Sequence, residues 1–275
     1  MDPCTHLLNT LRALRRLKPI KRLGQHMLRD CRVGYRFSEE LRRLKPSGVM
    51  EFGMGAGQLT PFLADSAPYV VGVEIDARML THLRRVMEGR TNIYPIIGDG
   101  LAFIEGEAVR ADVLVSNTPY VLSGPLLISF VKSRYRAALL MLQREVAEKL
   151  TSPPGVREYG RLSAFVQTFA FPEIVEIYPP SVFTPSPEVD SALVKIVRRR
   201  EWREGFRRYE DFVTCLFTQR RKKASKILVK CLEKVLGVKD CGELIEGTED
   251  KRVFNLDADY LFQLFSRAAD LPHRA

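Results

Sequence analysis

At 275 residues and 45% hydrophobic content, the chain can bury a full core, either as one large domain or as a medium domain with a small appendage. Even the apolar stretch from Val113 to Val131 is broken by Asn117, Pro119, Gly124 and Pro125. It falls short of the roughly 20 uninterrupted residues that cross a bilayer, so no membrane span or membrane partner is expected. Lys and Arg number 43 against 33 Asp and Glu, a net charge of +10, which favours a polyanionic partner by counterion release without by itself establishing nucleic-acid binding.

The chain begins with a basic segment holding Arg12, Arg15, Arg16, Lys18, Lys21 and Arg22 against the single acid Asp2. No continuous apolar core follows these charges, so a secretory leader is not expected and the protein is read as cytoplasmic. From there, short β-type runs alternate with longer amphipathic segments: Val49 to Phe52, Tyr69 to Glu74, Ile93 to Ile97, Asp112 to Ser116 and Ala137 to Leu142. Five strands separated by helices imply right-handed crossovers and a parallel sheet covered on both faces, an α/β fold.

Directly after the first strand stands Glu51-Phe-Gly53-Met-Gly55-Ala-Gly57, with a helix predicted from about Gln58. Glycines permit a tight strand-to-helix turn and let a ligand come close to the backbone. Glu74 ends the second strand 21 residues after Gly53, where an acid can accept hydrogen bonds from two ribose hydroxyls. A dinucleotide dehydrogenase uses similar geometry but a Gly-x-Gly-x-x-Gly spacing. Here the spacing is Gly-x-Gly-x-Gly with Glu51 two residues ahead, an acid that sits badly beside a pyrophosphate and suits a cofactor carrying an amino group and a sulfonium. After the third strand, Asp99 in Gly98-Asp99-Gly100 stands where strand ends converge on a crevice and can accept an adenine amine. Alone it reads more readily as a helix cap or turn residue, and its weight comes from Gly53 and Glu74 preceding it.

Asn117-Thr118-Pro119-Tyr120 follows the fourth strand. An exocyclic amine is a poor nucleophile because its lone pair is delocalised into the ring. The Asn117 side-chain oxygen and a main-chain carbonyl near Thr118 to Pro119 can take both amine hydrogens and aim the lone pair at a methyl group. Pro119 fixes the turn and Tyr120 offers a ring on which a base stacks. Two further strands, Phe171 to Tyr178 and Ser191 to Val197, are joined by a proline-rich stretch and are predicted to close the sheet as an antiparallel pair.

Near Arg198 to Arg208 the pattern changes, and a boundary is placed there: residues 1–200 as the α/β domain and 201–275 as a small all-α domain. Apolar residues then recur at helix spacing from Val213 to Leu232, and the basic cluster Arg220, Arg221, Lys222 and Lys223 is predicted on that same helix as an RNA-binding face. Cys4, Cys31, Cys215, Cys231 and Cys241 show no CxxC spacing, which argues against a zinc site and against a disulfide framework; no metal is expected.

With these motifs in this order, the sequence resembles the ribosomal RNA adenine N6-dimethyltransferase family over almost its entire length. The resemblance also rests on Lys21-Arg-Leu-Gly-Gln25-His26-Met27-Leu28, Met141-Leu-Gln143-Arg144-Glu145, Tyr159-Gly160-Arg161-Leu162-Ser163 and Phe183-Thr-Pro185-Ser-Pro187-Glu-Val-Asp190-Ser191. It implies a Rossmann-like class I methyltransferase sheet, mostly parallel, of seven strands, and S-adenosyl-L-methionine as cofactor. It implies that Gln25, His26, Leu28, Glu51, Gly53, Gly55, Glu74, Asp99 and Asn117 form the cofactor site. Asn117, Pro119, Tyr120 and Phe183 are implied as catalytic, Phe183 sandwiching a flipped adenine opposite Tyr120. The implied partner is small-subunit rRNA in a pre-ribosomal particle, met by a monomer. Large-subunit rRNA, DNA adenine and a non-catalytic assembly or transcription factor on the same fold remain open as alternatives. The sequence departs from the family pattern at Met27, Thr118 and Gly100, where phenylalanine, leucine and alanine are usual; Thr118 is expected to act through its backbone.

Overall fold

The computed structural model describes residues 2–14, 26–106, 108–239 and 241–270. In chain order the elements are α1 (Pro3–Leu14), β1 (Met27–Leu28), α2 (Cys31–Leu44), β2 (Val49–Phe52), α3 (Thr60–Ala64), β3 (Val70–Glu74), α4 (Leu80–Met87), β4 (Ile93–Ile97), α5 (Gly100–Glu105), β5 (Val113–Asn117) and α6 (Ser123–Lys132). They continue with β6 (Ala137–Gln143), α7 (Arg144–Thr151), α8 (Arg161–Phe169), β7 (Ala170–Tyr178), β8 (Phe183–Thr184), β9 (Ser191–Arg198), α9 (Arg207–Phe217), α10 (Ala224–Leu236) and α11 (Ala258–Ala269).

Among the described residues seven strands form one sheet in the order β4-β3-β2-β5-β6-β9-β7. β2 to β6 run parallel, and β9 enters antiparallel to β6 over seven residue pairs, from Ala137↔Val197 to Gln143↔Ser191. β2 is buried along its whole length and β6 up to Gln143, which explains why they read as unbroken apolar runs. The order reverses direction between β2 and β5, so a crevice opens beyond their carboxyl ends, the place where open parallel sheets bind ligands. The predicted strands lie within a residue of those observed.

The chain divides into two compact units, Met1–Ala147 with Glu173–Arg198, and Glu148–Pro172 with Arg199–Ala275. This differs from a division at residues 200 and 201. α8 groups with the C-terminal helices because it packs on α9 and α11, a tertiary contact that hydrophobic period does not reveal. The second unit is centred on an aromatic cluster in which Phe169 meets Trp202, Phe206, Tyr209 and Phe262 at centroid distances of 5.3 to 5.9 Å. The buried Tyr209 hydroxyl is satisfied by Thr168 Oγ1 at 2.7 Å.

Two further expectations are corrected. Arg220 to Lys223 do not lie on a helix: α9 ends at Phe217 and α10 begins at Ala224. The intervening backbone forms a turn, with Lys222 N–H donating to the Gln219 carbonyl, and is tied to a distant segment by Val253 N–H donating to the Lys222 carbonyl and Phe254 N–H to the Arg220 carbonyl. The cysteines are not all unpaired. Cys4 bonds Cys31 and Cys215 bonds Cys231, with Cα separations of 5.3 and 5.8 Å, and Cys241 is buried, its Sγ–H donating to the Val238 carbonyl at 3.5 Å. In one continuous helix Cys215 and Cys231 would stand roughly 24 Å apart at 1.5 Å per residue, so the reversal at the basic turn is what brings them together.

Candidate active site

The carboxyl ends of β2, β3 and β5 surround a pocket enclosing about 890 Å³ including its open mouth, lined among others by His26, Glu51, Gly53, Gly55, Gln58, Glu74, Asp99, Asn117 and Pro119. Its place at the strand ends, with a glycine turn and acidic groups in the lining, suits a nucleoside cofactor. Gly53 and Gly55 turn with φ of 67° and 58°, conformations that L side chains rarely adopt. α3 starts at Thr60, two residues later than the sequence pattern suggested.

Glu74 closes the turn. Its Oε2 accepts from Gly55 N–H at 2.7 Å and its Oε1 from Asp76 N–H at 2.8 Å, so each oxygen keeps a second lone pair for a ligand. Burial raises its pKa, opposed by those backbone bonds. Glu51 is only 2% exposed, and Thr60 Oγ1 donates to its Oε2 at 2.6 Å. Burial pushes the Glu51 carboxyl up to about 8 against the lowering effect of Thr60, with the Glu74 charge adding to the rise. A cavity holding two carboxylates is built to receive positive charge. Asp99 does cap a helix, accepting from Leu101 N–H at 3.0 Å through Oδ1, and it also lines the pocket.

Asn117 ends β5, and its Nδ2 donates to the His26 carbonyl at 2.9 Å. With the amide nitrogen committed, Oδ1 is the acceptor left to a substrate. The Pro119 carbonyl accepts from Leu122 N–H at 2.8 Å. The half-buried Tyr120 shares a short hydrogen bond between its hydroxyl and Ser191 Oγ, and burial raises its pKa. Its ring is stacked with that of His26 at 5.3 Å and 28°.

The segment carrying His26 is pinned by β1 pairing antiparallel with β8, Met27↔Thr184 and Leu28↔Phe183, and by His26 Nδ1 facing the Pro185 carbonyl at 2.8 Å. This pairing corrects the expectation for Phe183. At 1% exposure it packs in the core with Leu28, Tyr178 and Val182 and is not a wall of the pocket. The ring that meets Tyr120 is His26. Gln25 lies outside the described residues. Sequence reasoning missed Gln58, Ile75, Met79 and Leu122, which also line the pocket; Ile75 adjoins the predicted Glu74 and was open to inspection on that ground.

Thr118 is 3% exposed and its hydroxyl has no hydrogen-bond partner. An orphaned buried hydroxyl is a liability, so Thr118→Val, which keeps the shape, is expected to raise stability by about 1 kcal/mol. Turnover should stay within about two-fold, since the pocket is lined by the residues on either side. Thermal unfolding and single-turnover methyl transfer check this; a large drop in rate would mean the hydroxyl has a substrate contact.

In the second unit, Arg220 donates to the carbonyls of Tyr159 at 3.0 Å and Arg157 at 2.8 Å, which makes it a brace of the basic turn. Arg221, Lys222 and Lys223 are exposed.

A family model described as ribosomal RNA adenine dimethylase matches residues 17–244. The chain is 39% identical over 249 residues to a probable ribosomal RNA small subunit methyltransferase A of Pyrobaculum aerophilum, covering 90% of this chain and 97% of that one. Among solved structures it is similar to a dimethyladenosine transferase from Plasmodium falciparum, with a TM-score of 0.71, 26% identity and coverage of 84% of this chain and 96% of the other. It is also similar to the 23S rRNA methyltransferase ErmE, with a TM-score of 0.62, 27% identity and coverage of 88% and 98%.

Proposed function

Because the chain belongs to the ribosomal RNA adenine dimethylase family, we propose that it dimethylates N6 of two adjacent adenosines in the 3′-terminal hairpin of small-subunit rRNA during ribosome biogenesis. It is an S-adenosylmethionine-dependent methyltransferase. The observation that carries the reading is Asn117 at the end of β5, its amide nitrogen anchored, its oxygen open, and Pro119 beside it on the wall of a pocket containing two buried carboxylates.

The pocket residues fit the cofactor. Buried Glu51 suits its amino group, the spare lone pairs of Glu74 suit ribose hydroxyls, and the Asp99 carboxylate suits the adenine amine. When bound, S-adenosylmethionine supplies an electrophilic methyl on a sulfonium, so the protein need only position and desolvate the nucleophile. Asn117 Oδ1 accepts one hydrogen of the target amine. The Thr118 carbonyl, next to Asn117, accepts the other; it is favoured over the Pro119 carbonyl, which already accepts one bond from Leu122 N–H. Tyr120 provides the stacking surface for the base, held in place by Ser191, and His26 is the second ring of that platform in place of Phe183. Arg221, Lys222 and Lys223 supply sequence-independent phosphate contacts, while Arg220 shapes their turn.

Support for the small-subunit target comes from the Pyrobaculum relative, a probable small subunit methyltransferase similar along nearly its whole length at 39% identity. Mass mapping of rRNA from cells with and without the gene, followed by addition of purified protein and cofactor, tests the proposal. Loss and restoration of dimethyladenosine at adjacent 3′-terminal positions of the small-subunit RNA is the expected result. A change confined to large-subunit RNA selects that target instead, and no change in either selects the non-catalytic assembly reading.

A further inference from the structure

We propose that Gln58 recognises the carboxylate of the cofactor's amino-acid tail, an inference that rests on the cofactor reading above. Gln58 follows the glycine turn directly, is 6% exposed and lines the pocket together with Glu51. Its Nε2 is buried without a hydrogen-bond partner. Folding strips that N–H₂ group of water and returns nothing, a cost that a bound acceptor removes.

The other polar groups of the wall narrow the choice of acceptor. Asn117 Nδ2 is committed to the His26 carbonyl and His26 Nδ1 faces the Pro185 carbonyl, while Glu51 and Glu74 offer only acceptors when ionised. A lone anion would be repelled by the Glu74 carboxylate and would oppose ionisation of Glu51. A zwitterion is not: its ammonium answers Glu51 and its carboxylate answers Gln58. A neutral amide suits this place better than Lys or Arg, because a cation there would pair with Glu51 and compete with the ammonium for it.

The test compares two ligands that differ by the carboxylate alone, S-adenosylmethionine and decarboxylated S-adenosylmethionine, by calorimetric titration of the full-length protein. Wild type is expected to bind the first about ten-fold or more tightly than the second, the ordinary worth of a hydrogen bond to a charged group. Gln58→Leu should lose about ten-fold for S-adenosylmethionine and stay within two-fold for the decarboxylated ligand. Gln58→Glu should weaken S-adenosylmethionine further and strengthen the decarboxylated ligand, whose tail keeps only positive charge. A thermal melt of each variant confirms that it is folded. Equal losses for both ligands would mean that Gln58 only shapes the pocket or faces the amino group, and unchanged affinities would mean that it touches neither; each overturns the inference. If wild type binds neither ligand, the cofactor reading itself falls, a result distinct from either of these.

Discussion

Asn117→Ala should lower the rate of methyl transfer by about 10²- to 10³-fold, the usual cost of deleting one preorganised hydrogen-bonding group from a reacting centre. Two effects combine in that number. The variant removes the acceptor that localises the lone pair of the target amine, and it frees the His26 carbonyl from its anchor to Asn117 Nδ2. RNA affinity should change by no more than about three-fold, because phosphate contacts, and not this amide, dominate RNA binding. Single-turnover rates with saturating RNA and cofactor separate the two quantities. A variant that keeps a rate within ten-fold of wild type, with binding intact, removes Asn117 from the reaction.

Glu51→Gln should make cofactor binding insensitive to pH between 6 and 7.5, whereas the wild-type affinity for S-adenosylhomocysteine should rise roughly 20-fold over that interval. The Glu51 carboxyl, at about 8 in the folded protein, is protonated at neutral pH. A cationic amino group beside it favours the carboxylate, so binding expels a proton and strengthens as protons become scarce. Calorimetry in buffers of different ionisation enthalpy counts that proton directly, and no proton release at pH 7 would contradict the assignment. The same shift governs the unliganded protein. A carboxyl whose folded pKa lies above its unfolded value of 4.5 contributes stability that is fully present below that value and is lost as pH rises through about 8. Glu51→Gln, which keeps an acceptor for Thr60, should therefore be more stable than wild type at pH 8, on the order of 3 kcal/mol, and nearly equal to it near pH 4.5.

The sheet and the glycine turn are legible because their signals are local: apolar runs bounded by Gly, Pro and Asp, and acids at fixed distances along the chain from Gly53. What is not legible depends on pairing between distant segments. Phe183 looks like an exposed aromatic in a proline-rich loop until β8 meets β1, a contact of two residue pairs that turns its ring into the core and brings His26 to Tyr120. Arg220 to Lys223 look helical because the apolar period runs on through them, and only the bonds to 251–254 show the chain reversing. Gln58 gives no signal in sequence, since a glutamine after a glycine turn is unremarkable until its amide is found buried without a partner.

The basic turn between α9 and α10 is closed by Cys215–Cys231 on one side and stitched to 251–254 on the other. Its backbone therefore has few conformations left to lose. A flexible basic tail of the same charge would give up roughly 1–2 kcal/mol for each residue it ordered on a phosphate backbone, whereas the phosphate contacts proposed for Arg221, Lys222 and Lys223 would be made from a backbone already arranged. In that proposal their charge would set how strongly the turn responds to salt, and the rigidity beneath them how much of that attraction survives as affinity.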